Sequence, residues 1–196
     1  MEFEIIDLFV KPLYKSMQCY KFSEDELKYI TNFNKKHNIG NQISVDNNTN
    51  IFLESEEMES IRKFIEREIS QYVDFILSPK NKELEFYIVE SWATYAEPGH
   101  YHFSHFHSNS LFSGCLYVNV DEDCDKIMFH NDKCERIYIA PQTYNMYNSE
   151  LWWVPVKNGQ LIMFDSSLAH SVPMTTSTKT RICLAFNVLV KGNLCK

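Results

Sequence analysis

Downstream of Pro79 the chain breaks into short runs rich in β-branched and aromatic residues, separated by polar turns. The runs cover residues 84–95, 101–107, 111–120, 127–129, 137–140, 161–164 and 180–190. Short strands with no helices between them bury their apolar faces against one another. This predicts a mainly β, antiparallel sandwich or barrel. Aromatics make up 14% of the 196 residues, enough for a packed core in a single domain, and global disorder is excluded.

The first 80 residues read differently. Residues 3–10 read as a strand. Ser23 and Glu26 form a capping box ahead of Leu27, Ile30 and Phe33, which predicts a helix over 24–37. The Asn-rich stretch 38–50 reads as a loop. A second helix starts at Ser55, with Glu56 and Glu57 in its first turn, and Pro79 stops it. Met58, Ile61, Ile65, Ile69, Tyr72 and Ile76 form one stripe at helical spacing, read as a packing face, with a homodimer seam as the lesser use. The expected layout is therefore a strand and helical part over 1–80 and a β core over 81–196.

The net charge of −7 disfavours a broad nucleic-acid footprint. No apolar run is long enough to span a bilayer, and Met1-Glu2-Phe3-Glu4 lacks a basic leader. The expectation is a soluble cytoplasmic protein without a membrane partner. A composition favouring Asn, Lys, Ile and Tyr suits an AT-rich genome, and a viral protein in a host cytoplasm is compatible with that. Six cysteines without a CxxC pair read as free thiols, and Asp121-Glu122-Asp123 as a solvated turn.

All histidines but His37 lie between residues 100 and 170. On a strand, His105 and His107 would share a face, and two such imidazoles can reach one metal ion. A packed or surface pair is the bland alternative. His170 follows the apolar run 161–164. Arg181 opens the last run, sharing a face with Cys183, Ala185 and Asn187. An arginine on an apolar strand needs an anion, supplied either by a structural ion pair or by a ligand carboxylate. Trp92, Trp152 and Trp153 read as core or pocket wall, His100 and His102 as rim groups, and His130 as solvated in a turn. Ser113-Gly114 reads as a close backbone approach.

These pieces stand in a telling order. Ser91-Trp92 precedes His105-Phe106-His107, then Phe112-Ser113-Gly114-Cys115-Leu116-Tyr117-Val118. Gly159, Leu161, Phe164, Ser166 and His170 follow, then Arg181 and Phe186-Asn187. The order resembles the iron(II)- and 2-oxoglutarate-dependent oxygenases, in the branch common in bacteria and phages. Tyr95-Ala96-Glu97-Pro98-Gly99-His100-Tyr101 resembles the lead-in of prolyl-hydroxylase-like members. The likeness covers residues 84–190.

The resemblance implies a double-stranded β-helix, or jelly roll, with the N-terminal helices packed on its outer face. It implies Fe(II), 2-oxoglutarate as cosubstrate and dioxygen. His105 and His170 would bind the metal, and Arg181 the distal carboxylate of 2-oxoglutarate. Tyr95 and Tyr117 would hydrogen-bond that carboxylate, and Asn187 would face the cofactor. The family pattern places Asp or Glu two residues after the first histidine, where this chain has His107. A three-histidine site of His105, His107 and His170 is the preferred reading. The other is that His107 contacts substrate, with Asn109 and Asp165 as outside candidates for ligation or support. The implied activity is a dioxygenase that hydroxylates an unidentified substrate as 2-oxoglutarate is decarboxylated to succinate. A cupin-type three-histidine enzyme that does not use 2-oxoglutarate, and a non-catalytic binding module, are the competing readings.

Overall fold

The computed structural model describes residues 4–45, 52–131, 137 and 139–194. The expected first strand is absent from its described part. Residues 4–10 are exposed and join no sheet, with Phe9 at φ 56°. The first strand is β1 (Tyr14–Lys15), which finds an edge to pair with on β9 (Leu161–Asp165).

The capping box forms as predicted. The Glu26 N–H donates to Ser23 Oγ at 3.2 Å, and the Ser23 N–H donates to the Glu26 carboxylate at 2.7 Å. It opens α1 (Glu24–Asn32), which ends short of residue 37 because β2 (Lys35–Asn38) begins there. β2 pairs with β3 (Asn41–Ser44), so the stretch read as a loop carries half a hairpin. Gly40, in the turn, has φ +81° and accepts the Tyr101 N–H at 3.0 Å. A Cβ there would lie 2.6 Å from the Tyr101 carbonyl oxygen, so glycine lets the hairpin seat on the loop ahead of β5 (His102–His105).

Ser55 caps nothing; its Oγ donates to the Phe52 carbonyl at 3.2 Å. Short 3-10 turns lead into α2 (Glu59–Tyr72), which continues as a π turn to Leu77. Ser78 is left-handed and Pro79 ends the element. The stripe Met58, Ile61, Ile65, Ile69 and Tyr72 is buried, as its spacing predicts.

The remaining strands are β4 (Glu85–Ala96), β6 (Phe112–Asn119), β7 (Lys126–His130), β8 (Leu151–Pro155), β10 (His170–Val172) and β11 (Arg181–Lys191). They form two antiparallel sheets, ordered β1-β9-β6-β11-β4-β3-β2 and β5-β10-β7-β8, the two layers of a jelly roll. The expected strand at 137–140 does not appear among its described residues. The unpredicted β8 takes the edge of the smaller sheet. Its Trp152 and Trp153 stack on each other at 6.0 Å and are 39% and 57% exposed, so they are not core; they wall a surface hollow with Tyr144 and Leu151, away from the histidines.

Strand alternation divides the core. On β6 and β11, Leu116, Val118, Leu184 and Phe186 join Ile61, Ile65 and Ile69 of α2 in one buried cluster. Cys115, Tyr117 and Cys183 face the other way, joining Ile127 and Phe129 of the smaller sheet in a second. Gly114 lies where β6 meets Phe186, and a Cβ there would be 2.3 Å from that ring. No described helix is long and apolar enough to cross a membrane. Cys19, Cys115, Cys124 and Cys183 are free thiols; Cys134 and Cys195 lie outside the described residues.

Candidate active site

Two neighbouring strands of the smaller sheet bring the first pair of imidazoles together. His105 on β5 and His170 on β10 are register partners, with ring centroids 4.3 Å apart. His107 lies just past the end of β5. Its backbone N–H donates to the Ser166 carbonyl at 2.9 Å, and its ring stacks on Trp92 at 5.8 Å. The His107 ring centroid is 5.2 Å from those of both His105 and His170. One ring nitrogen from each of the three lies within 4.8 Å of the others.

Two of these imidazoles, His107 and His170, are prepared as neutral donors. Burial, then the nearby His105, pushes His107 down to about 4 and His170 to about 3. His105 Nδ1 meets the Phe103 carbonyl at 2.8 Å and His170 Nδ1 meets the Leu168 carbonyl at 3.0 Å. A carbonyl only accepts, so both Nδ1 atoms carry a proton, and Nε2 is the nitrogen left for a metal.

A cavity of about 70 Å³ opens on one side of the cluster, lined by Thr94, Cys115, Tyr117, Ile127, Arg181 and Cys183. Arg181 is only 4% exposed, and its Nη1 donates to the Lys126 carbonyl at 3.1 Å. Among the described residues no carboxylate forms an ion pair with it. Its guanidinium lies 5.5 Å from the Tyr117 ring, and the buried Tyr117 hydroxyl has no hydrogen-bond partner. A buried cation short of an anion beside an orphaned hydroxyl fits a carboxylate ligand. The three nitrogens likewise fit a divalent iron with positions left open. A second hollow, a groove of about 400 Å³, opens on the other side and shares Trp92, His102, His105 and His107 with the cavity.

The other expected site residues fall elsewhere. Tyr95 does not reach the cavity: strand alternation sends it into the cluster with α2, where its hydroxyl donates to the Ile30 carbonyl at 2.6 Å. That corrects its assignment to the cosubstrate. Asn187 lines the outer groove, not the inner cavity. Asp165 is exposed and accepts from the Ser167 N–H and hydroxyl, and Asn109 is exposed in a turn at φ 57°. His130 is not solvated in a turn but ends β7, with Nε2 2.8 Å from Ser171 Oγ. His100 accepts the Glu97 N–H at 3.1 Å.

The residue underestimated from sequence is His102. Three positions from His105, simple alternation turns it to the opposite face. A register shift between β5 and β10 breaks the alternation, and the His102 ring sits 4.1 Å from that of His105, lining both hollows. Only the irregularity carries that information, and the sequence shows no glycine or proline at it.

Comparison with known proteins agrees with this geometry. No curated protein matches the sequence. Among solved structures, HygX from Streptomyces hygroscopicus, crystallised with nickel, 2-oxoglutarate and hygromycin B, is similar at 8% identity. That match has a TM-score of 0.61 and covers 91% of this chain and 82% of HygX. SnoK, a non-heme α-ketoglutarate-dependent carbocyclase from nogalamycin biosynthesis, is similar at 10% identity and a TM-score of 0.61, over 91% of this chain and 80% of its own. A Pseudomonas putida prolyl-4-hydroxylase is similar at 14% identity and a TM-score of 0.53, over 90% and 92%. These likenesses show the jelly-roll fold. The family described as "Putative 2OG-Fe(II) oxygenase", whose members use Fe(II), 2-oxoglutarate and dioxygen, matches residues 90–187, half of the chain and the span that carries all three clustered histidines and Arg181. The chain belongs to the 2OG-Fe(II) oxygenases.

Proposed function

We propose that this protein is a 2-oxoglutarate-dependent dioxygenase with a three-histidine iron site, and that it hydroxylates a small molecule. The observation that carries the reading is the buried Arg181, without an ion-pair partner among the described residues, beside the orphaned Tyr117 hydroxyl, in a cavity that opens on three clustered imidazoles.

His105, His107 and His170 would hold the iron. Arg181 and Tyr117 would hold the distal carboxylate of 2-oxoglutarate, the first by charge and the second by its hydroxyl proton. Fe(II), 2-oxoglutarate and dioxygen, when bound, supply oxidative decarboxylation to succinate and carbon dioxide coupled to oxidation of a substrate C–H bond. Ile127, Phe164 and Val172 wall the inner cavity with apolar surface and limit the water around the carboxylate. The outer groove is of a size that suits a small organic molecule, with Trp92 and Phe106 as apolar wall and Lys36, Ser108 and Glu90 as polar contacts. HygX, with hygromycin B bound, is a fold relative that accommodates such a ligand.

Anaerobic titration with Fe(II) and then 2-oxoglutarate tests the cofactor reading. The expected result is stoichiometric iron and a visible charge-transfer band that appears only when both are present. Iron bound with no response to 2-oxoglutarate would sink it. Hydroxylation is tested by mass spectrometry of a small-molecule panel, where one added oxygen atom must accompany succinate formation.

A further inference from the structure

The outer groove carries one lysine and one carboxylate, and they do not neutralise each other. Lys36 on β2 and Glu90 on β4 are the sole lysine or arginine and the sole acidic residue among its described lining. Among the described residues neither forms an ion pair. Glu90 accepts from the Asn187 amide through one oxygen at 3.0 Å, which leaves the other oxygen for the groove. The strand register fixes how the two charges stand. Lys36 pairs with Ile43, and Ile43 pairs with Thr94. Thr94, Trp92 and Glu90 alternate onto the same face of β4. Two strand spacings across the sheet and four residues along it put the Lys36 and Glu90 Cα atoms about 16 Å apart. Trp92 lies between them, stacked on His107, and Phe106, 63% exposed, adds a second apolar wall.

We infer that the substrate is a small zwitterion, with an ammonium at one end for Glu90, an oxyanion at the other for Lys36, and an apolar body lying over Trp92. Opposite charges held apart on one wall, with an indole between them, complement a molecule that is charged oppositely at its two ends. A ligand with an anion alone would leave Glu90 unmatched and facing a like charge. A ligand with a cation alone would do the same to Lys36. The groove thus selects against both as well as for the zwitterion. The apolar body, and not either charged end, is then the part held over the imidazoles. That the guest is a substrate rests on the oxygenase reading proposed above; that the groove selects it rests on the two charges alone.

The test uses three matched probes on the full chain: para-aminomethylbenzoate, a rigid zwitterion, with benzylamine and para-methylbenzoate as its cation-only and anion-only counterparts. Affinities are read by NMR from the Trp92 indole N–H. Wild type should bind the zwitterion roughly fivefold or more tighter than either counterpart. Glu90→Gln keeps an oxygen for the Asn187 amide, and both charged residues are exposed, so the substitutions leave the core intact. Glu90→Gln should bring the zwitterion down to the affinity of para-methylbenzoate, and Lys36→Met down to that of benzylamine. The phosphonate analogue of the zwitterion distinguishes a phosphate from a carboxylate end by which of the two binds tighter. Equal affinity of wild type for the three matched probes, or a preference that survives both substitutions, would overturn the inference. The comparison needs neither iron nor 2-oxoglutarate, so failure of the anaerobic titration would count against the proposed function and leave this result to decide the ligand class.

Discussion

His105 and His170 occupy directly opposed positions on β5 and β10, and the sheet register alone brings their rings to 4.3 Å. Neither needs a bend or a loop to meet the other. The third imidazole, His107, is held by a single backbone hydrogen bond past the strand end and by its stack on Trp92.

The metal site should therefore be sensitive to all three imidazoles. Alanine at His105 or His170 should abolish stoichiometric Fe(II) binding, measured by metal analysis after anaerobic reconstitution and desalting. Full retention of iron in both variants would show that the ion sits elsewhere.

Arg181 should separate cosubstrate binding from folding. Arg181→Met removes a buried guanidinium that lacks a counter-ion, so the ligand-free protein should become more stable, by about 1 kcal/mol or more. The same variant should keep its metal and lose 2-oxoglutarate binding. A calorimetric titration and a thermal melt on one preparation read both effects, and a lower melting temperature would contradict the first.

Acid should unfold the metal-free protein through its histidines. Folded His102 and His107 titrate near 4 and His170 near 3, burial being the largest cause, against 6.5 when unexposed surroundings are absent. Between those values the unfolded chain binds more protons, so their contribution to stability is full above pH 6.5 and is lost as pH falls toward 3. Melting temperature in chelator should decline across that window. A flat profile from pH 7 to 4 would argue that the rings are solvated.

Gly114 should tolerate no side chain. Gly114→Ala places a methyl 2.3 Å from the Phe186 ring, which alternation has locked in the core beneath β6. Overpacking of this kind costs about 1–3 kcal/mol. Chemical denaturation should show the loss, and a neutral result would mean that Phe186 can swing aside.

The β core and the chemistry of the site were legible because both are written in local order. Alternation separated Leu116 from Tyr117 and Leu184 from Cys183, and the spacing of the histidines and Arg181 survived folding intact. What misled was information held by partners rather than by the strand itself. Residues 4–10 look like a strand but have no edge to join, whereas Lys35–Asn38 looks polar and gains one. Tyr95 has the right residue type for a carboxylate contact but the wrong parity for the cavity. His102 has the wrong parity and reaches the cavity through a register shift.

The seat of Gly40 on Tyr101 joins the outermost hairpin of the larger sheet to the loop that enters β5. Lys36, Asn38, Ile43 and Ser44 of the same hairpin line the outer groove beside His102, His105 and His107. The hairpin thus forms one bank of the groove that reaches the imidazoles, so a bulkier residue at Gly40, which would press on Tyr101, should alter which guests fit there without replacing any group that reacts with them.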